Sequence, residues 1–277
     1  MRHFLLELPL TSKTENQIEN PFAHYPQRRI AMRVSYDGTL YHGWQIQPQF
    51  PLQTIQGRLQ SVLAEVLQVA TPLDGASRTD AGVHAHDQLC AFTTHHPIRL
   101  QGLKMSLNRR LPSDIVVQTV QEVGLDFQPR FANQGKIYVY YIWNHPTDHP
   151  IHARFATHIR KTLDLVAMSE AMELLKGTHD FKSFAAQDGQ HKTSVRTLWH
   201  VSIHKESPSL IAIRFGGNGF MKQMVRNLVG TLIEVGRGRW HAQKVVAILA
   251  ACDRSAAGPT AAAKGLALEQ MFWELDD

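Results

Sequence analysis

The sequence predicts an α/β (α+β) protein made of two similar β-α-β halves, with antiparallel-rich mixed sheets and a central cleft. Three observations carry that expectation. Segments with a two-residue apolar period alternate with segments at helical spacing, the pattern of sheets faced by helices. The alternation halts near residue 130 and then restarts. Composition is ordinary for a globular chain, at 277 residues, 43% hydrophobic and 19% charged, enough for one large domain or two moderate ones. These values exclude a collagen-like fibre, a coiled coil and a disordered chain.

Residues 1–26 read as a polar extension. The run Met1 to Leu8 is too short for a secretory signal, is interrupted by Glu7 and has no small-residue cleavage site after it. The first half, 27–130, opens with a strand over Arg29–Tyr36, closed by the turn pair Asp37-Gly38. Thr54–Gln68 places Ile55, Leu59, Val62, Leu63, Val66 and Leu67 on one helical face. A short strand at Leu73–Ala76 leads into a dense polar loop, Ser77–His86, and a strand at Asp87–Thr93. A weak helix over Gln101–Arg109 must stop before Pro112. Ile115–Val120 is strand-like.

The second half, 131–277, repeats the theme. Lys136–Asn144 is aromatic and β-branched, hence a strand. Tyr138 and Tyr140 share one face of it, while Tyr141 and Trp143 share the other. Leu163–Leu175 is helical, with Gly177 as its expected C-terminal stop. Leu198–His204 and Leu210–Phe215 form a strand pair around Ser207-Pro208-Ser209. Phe220–Val235 is a strong amphipathic helix and His241–Ala251 another. Gly265–Glu269 suggests a short final strand.

Two cysteines, Cys90 and Cys252, make no disulfide framework and no CxxC pair, which points to reduced thiols in a cytoplasmic protein. No run reaches the 18 apolar residues that a membrane span needs. Sixteen histidines stand out. His84, His86, Asp87, His95 and His96 lie close together, and a metal-dependent hydrolase built on His84, His86 and Asp87 is one reading. They lack the HxxxH spacing of a zinc helix and have no matching cysteines, so no metal is expected. His145, His149, His152, His158 and His191 sit in polar stretches and read as surface groups.

The segment Ser77 to Ala85 gathers an acid, an arginine and a histidine around Gly82. An ionised Asp80 can serve as nucleophile or general base, and Arg78 is a planar donor suited to phosphate or carboxylate. The same residues also suit a structural turn, with Asp80 capping backbone amides and Arg78 solvated.

Arg78-Thr79-Asp80-Ala81-Gly82-Val83-His84 resembles the signature loop of the tRNA pseudouridine synthase A family. Tyr36-Asp37-Gly38, Tyr41 and Gly43-Trp44-Gln45 are similar to that family's first-strand motif. Asn108, Leu111-Pro112 and Asp114-Ile115 follow, then Phe131, Lys136, Tyr138 and Tyr140, then His179-Asp180-Phe181 with Ser183-Phe184. Phe220, Met224-Val225-Arg226-Asn227, Val229-Gly230, Gly265-Leu266 and Leu268 complete a collinear series over about residues 29 to 270.

The resemblance implies isomerisation of uridine to pseudouridine within tRNA, at positions 38, 39 and 40 of the anticodon stem-loop, with no cofactor or metal. It places the catalytic aspartate on Asp80 and an arginine partner on Arg226. It puts the active-site tyrosine on Tyr138, which could otherwise be an ordinary core tyrosine. Leu268 falls on an apolar residue of the base pocket, although a plain core leucine fits there too. Arg78 falls where a side chain can hold a flipped nucleotide, ion pairing within the protein being the other reading. A homodimer acting on tRNA is implied as well. An RNA-binding module without catalysis would not need Asp80 and Arg226 together.

Ser77 departs from the family pattern, in which glycine usually precedes the arginine, and Ala261-Ala262-Ala263 replaces a segment that often holds proline. The formal charge is +5. Between Lys192 and Arg239, eight Lys/Arg stand against Glu206 and Glu234, a net of +6, so the excess lies in the second half. Such clustering is expected where one surface meets phosphates.

Overall fold

A computed structural model describes residues 20–189 and 192–273. Most of the expected extension, and His191, lie outside the described residues. The strands and helices, in chain order, are β1 (Arg28–Tyr36), α1 (Ile55–Leu67), β2 (Asp74–Gly75), β3 (His84–Thr94), α2 (Leu100–Arg110), β4 (Ile115–Val123), α3 (Pro129–Ala132) and β5 (Asn133–Asn144). They continue with β6 (Thr157–Ile159), α4 (Leu165–Glu173), β7 (Gly177–Asp180), β8 (Val195–Lys205), β9 (Leu210–Gly217), α5 (Met224–Gly236), α6 (Lys244–Ala251) and β10 (Leu266–Trp273).

All ten strands join one mixed sheet in the order β4-β1-β3-β10-β5-β9-β8-β7, with β2 paired to β3 and β6 to β5. Pairing is antiparallel except for β10 with β3 and β6 with β5. The α/β expectation holds, with one sheet running unbroken through both halves. Its centre is the segment that suggested only a short final strand. β10 is eight residues long and bonds β3 of the first half on one side and β5 of the second on the other. A register shift between Leu268 and Gln270 pairs Met271 with Lys136, so Met271 joins the face of Leu268. The shift breaks the two-residue period by which a strand is read from sequence.

Other boundaries moved for local reasons. α5 begins at Met224 rather than Phe220 because Gln223 is left-handed (φ 60°), a conformation no helix interior accepts. Gly177 does not stop the preceding helix, which ends at Glu173; with φ +108° it turns the chain into β7. β3 starts three residues before Asp87, because His84 and Ala85 pair with β10.

The helices cover one face of the sheet. α1 is capped by Thr54, whose hydroxyl accepts the Gly57 N–H at 3.2 Å, and it buries Ile55, Leu59, Leu63 and Leu67 completely. Each such side chain contributes about 1.5–3 kcal/mol by leaving water. α5 buries Met224, Leu228, Val229 and Leu232 against α4 and the sheet. Tyr138, Tyr140 and Leu268 join this large core, whereas Val139, Ala212 and Ala267 form a small separate patch on the opposite face, flanked by Tyr141.

Gly230 fixes how closely α5 approaches the segment before β10. A Cβ there would lie 1.6 Å from the Pro259 carbonyl oxygen, a backbone atom that cannot swing away. Gly230→Ala is therefore expected to cost about 3 kcal/mol, in the upper range for overpacking. The measurement is denaturant unfolding, where the midpoint should fall with the slope unchanged. An unmoved midpoint would show that helix and segment part easily.

Candidate active site

The loop between β2 and β3 is held from several directions. Its backbone carbonyls accept hydrogen bonds at Ser77 from the Gln88 amide (2.7 Å) and at Thr79 from the Trp44 N–H (3.1 Å). The Tyr36 hydroxyl lies 2.8 Å from Thr79 Oγ1. Burial raises the Tyr36 phenol well above its ordinary value, so it stays neutral. Val83 N–H closes a turn onto the Asp80 carbonyl at 3.1 Å, with Gly82 at φ +75° in the third position, where a type II turn demands glycine. Gly43, at φ +90°, lets the first-strand motif pass beneath, since a Cβ there would come 2.5 Å from the Thr79 carbonyl oxygen. The aromatic and glycine residues Tyr36, Tyr41, Gly43 and Trp44 thus serve as the floor of this loop.

The turn presents Asp80 outward. Its Oδ2 accepts a hydrogen bond from Arg226 Nη1 at 2.9 Å, between side chains 25% and 15% exposed respectively. Arg226 stands in the first turn of α5, and its Nε donates to the Ala261 carbonyl at 2.8 Å. The Ala261 N–H returns a bond to the Arg226 carbonyl at 3.1 Å. The guanidinium is therefore clamped between the segment before β10 and the Asp80 carboxylate.

Tyr138 comes from the middle of β5 on the same face. Its ring meets Phe220 edge-on at 5.1 Å, and its hydroxyl lies 3.0 Å from Ser77 Oγ. Burial pushes the phenol up to about 12; the Ser77 bond lowers it and the charge of Asp80 adds to the rise. Leu268, fully buried, is the cross-strand partner of Tyr138 on one side and of Ala85 on the other. Tyr140, on the same face, braces the fold instead: its hydroxyl meets Thr157 Oγ1 at 2.6 Å and donates to the Ala262 carbonyl at 2.9 Å. Tyr141 faces the opposite side of the sheet.

Arg78 is exposed between buried Ser77 and Thr79, and among the described residues it has no ion-pair partner. His84 is buried; its Nδ1 receives the Gly38 N–H at 3.1 Å and its Nε2 donates to the Lys264 carbonyl at 3.2 Å. Burial lowers its basicity, opposed by the Asp37 carboxylate. It ties the loop after β1 to the segment before β10. Asp87 is occupied by Arg33 and by the Met271 N–H at 2.9 Å. Among the described residues no three His, Cys, Asp or Glu side chains come together as a metal site would need.

Three features escaped the sequence. The backbone carbonyls of Ala261 and Ala262 hold Arg226 and Tyr140, a role that no side-chain identity signals. Ser77 and Lys136 reach the site, Lys136 Nζ lying 3.3 Å from Ser77 Oγ. His145, His149 and His152, partly exposed as expected of surface groups, gather around Trp143, with His152 stacked on the indole at 4.7 Å. Several cations of the basic stretch 192–239 have acidic partners. Arg214 pairs with Glu206 and Glu269, Lys222 with Asp188, and Arg237 and Arg239 with Glu234. Local acids, some from outside the stretch, neutralise much of the counted charge. Among the described residues no helix is long and apolar enough to cross a membrane.

Residues 32–132 and 171–274 match a family model described as tRNA pseudouridine synthase. Asp80, Arg226 and Leu268 lie within those spans and Tyr138 between them. The chain is 42% identical over 246 residues to tRNA pseudouridine synthase A 2 of Clostridium tetani, covering 89% of this chain and 99% of that protein. It is 39% identical over 246 residues to tRNA pseudouridine synthase A of Ruminiclostridium cellulolyticum, covering 89% and 100%. It is 40% identical over 248 residues to tRNA pseudouridine synthase A of Brevibacillus brevis, covering 90% and 99%.

Proposed function

As this chain belongs to the tRNA pseudouridine synthase family, we propose that Asp80 is the carboxylate through which it isomerises uridine to pseudouridine in tRNA. The N1–C1′ bond breaks, the uracil turns, a C5–C1′ bond forms, the C5 proton leaves and N1 takes up a proton. The product has the atoms of the substrate, so the reaction balances without a redox partner or a group donor.

The observation that supports Asp80 most is its ion pair with Arg226, 2.9 Å long and anchored from behind by the Ala261 carbonyl. Attack on C1′, addition to the base and removal of a ribose proton all start from an ionised carboxylate, for which Arg226 is the counter-charge. Tyr138 offers a ring face for the uracil and a neutral hydroxyl beside it. Leu268 forms the apolar floor next to Tyr138. A uridine stacked in a stem must be extruded before chemistry. Arg78, exposed and with no ion-pair partner among the described residues, holds the phosphate or the space of such a nucleotide in this reading.

Following the resemblance, the targets are tRNA positions 38, 39 and 40 in the anticodon stem-loop, the working unit is a homodimer of two-halved subunits divided near residue 130, and the work is done in the cytoplasm. Incubation with an unmodified tRNA transcript should give pseudouridine at those positions. Transcripts with cytidine there should give none. Product elsewhere would overturn the site assignment, and no product on any tRNA would overturn the function.

Tyr138→Phe keeps the ring and removes the hydroxyl. Single-turnover rates are expected to fall by about 100-fold, the scale of proton-transfer or hydrogen-bond assistance, with tRNA affinity nearly unchanged. Equal small losses in both would return Tyr138 to the role of a core tyrosine.

A further inference from the structure

Ser77 Oγ stands between two polar groups of β5. Lys136 Nζ lies 3.3 Å from it, and the Tyr138 hydroxyl lies 3.0 Å from its other side. Lys136 and Tyr138 are two residues apart on one strand and so share a face. The ammonium also reaches the Ala76 carbonyl at 3.4 Å. Ser77 and Tyr138 are both buried.

The chemistry of these groups fixes the direction of the chain. An ammonium only donates, so Ser77 Oγ must accept from Lys136. Serine has a single proton, which is then directed to the Tyr138 oxygen. Tyr138 accepts it, and its own proton is left to point away from Ser77, free for the base of the proposed function. Building on the proposed function, we propose that Ser77 and Lys136 are positioning residues that orient the Tyr138 hydroxyl as a hydrogen-bond donor to the uracil. Negative charge accumulates on the base as the N1–C1′ electron pair leaves with it, and an aimed O–H stabilises that charge. A glycine at position 77 would leave the phenol free to rotate.

Protonation of Lys136 is the condition for this polarity. Burial, with Arg130 of α3 adding to the effect, pulls the lysine down to about 8. Its cross-strand neighbours, Met271 on β10 and Gly217 on β9, carry no charge. Beyond Ser77 stand the Tyr138 phenol, held neutral by burial, and then the charge of Asp80. Above the lysine's transition the neutral amine can accept the Ser77 proton. Tyr138 then turns its own proton back to Ser77.

The test is single-turnover pseudouridine formation on an unmodified tRNA transcript from about pH 6 to about pH 10, spanning the lysine transition. Wild type is compared with Ser77→Ala, Ser77→Thr, Lys136→Met, Tyr138→Phe and the Ser77→Ala/Tyr138→Phe double variant, with tRNA affinity and unfolding midpoint measured for each. Ser77→Ala is expected to slow the reaction about tenfold, the worth of one well-placed hydrogen bond, without weakening tRNA binding. Ser77→Thr, which keeps a hydroxyl, should recover most of that loss. In the Tyr138→Phe background Ser77→Ala should cost nothing further. The wild-type rate should fall above about pH 8, and Lys136→Met should lack that limb. Additive losses in the double variant, or a Ser77→Ala enzyme as fast as wild type, would overturn the inference while leaving the function standing. A wild type that forms no pseudouridine would overturn both.

Discussion

Asp80→Asn should abolish pseudouridine formation and leave the protein folded and able to bind tRNA. Asparagine has the same shape and can still accept a hydrogen bond from Arg226, so the substitution removes the charge and little else. Without that charge the side chain can neither attack carbon nor take a proton. Losses of about 10⁴-fold or more are typical when the central group of a catalytic set is removed. The loop should survive, because it is pinned by Tyr36, Trp44 and Gln88 rather than by the carboxylate. Arg226 would lose its counter-charge while only 15% exposed, which costs about 1–2 kcal/mol for a partly buried pair. Binding to a polyanion should hold or improve slightly as a negative charge disappears. Mapping pseudouridine in a single-turnover reaction, with tRNA affinity measured in parallel, reads both halves of the prediction. A variant that turned over at the wild-type rate would remove Asp80 from the chemistry.

Arg226→Met should slow the reaction by about 10²–10³-fold, the loss seen when one preorganised electrostatic donor is deleted from an active site. Methionine fills similar space but holds neither Asp80 nor the Ala261 carbonyl. Some stability should go with it, because α5 loses one of its ties to the segment before β10. Arg226→Lys should recover only part of the rate. An ammonium is a point donor and cannot serve two acceptors set apart at the angle of a guanidinium fork. The pairing itself is tested by the double variant Asp80→Asn/Arg226→Met, which should be little worse than Asp80→Asn alone, since both changes break one unit. Fully additive losses would mean that the two residues work separately.

Much of this site was legible before any geometry. Asp80, Arg78 and His84 fall in one short polar loop, and a carboxylate that must stay ionised called for a cation. The cation is 146 residues away, so its identity came from the motif around Arg226 and not from local spacing. The long amphipathic segments were legible because burial on one face leaves a period in the sequence: α1 and β1 fall within a residue or two of expectation. β6 and β7, three and four residues long, are too short to show any period. Backbone contributions, such as the carbonyls of Ala261 and Ala262, were invisible for the same reason that alanines could stand there. The surplus of positive charge between Lys192 and Arg239 carried no information on pairing, because a count registers charges but not their partners. Arg214 and Lys222 are answered by Glu269 and Asp188, which lie outside the counted stretch.

The place of β10 has a consequence for how the enzyme comes to exist. Of the ten strands it is the last to leave the ribosome, yet it lies at the middle of the sheet, bonded to strands of both halves. Contacts such as the Met271 N–H to Asp87 close loops of 184 residues. Pairings that distant are slow to form and cannot be made early in synthesis. The earlier strands must therefore wait, half-assembled, for a segment that also delivers Leu268 and follows directly on the clamp around Arg226. A nascent chain ending before residue 261 has Asp80 and Arg226 in hand but lacks the Ala261 carbonyl that holds the arginine in place. Catalytic competence would thus arrive in one late step, when the closing strand slots in, and not accumulate as the protein is made.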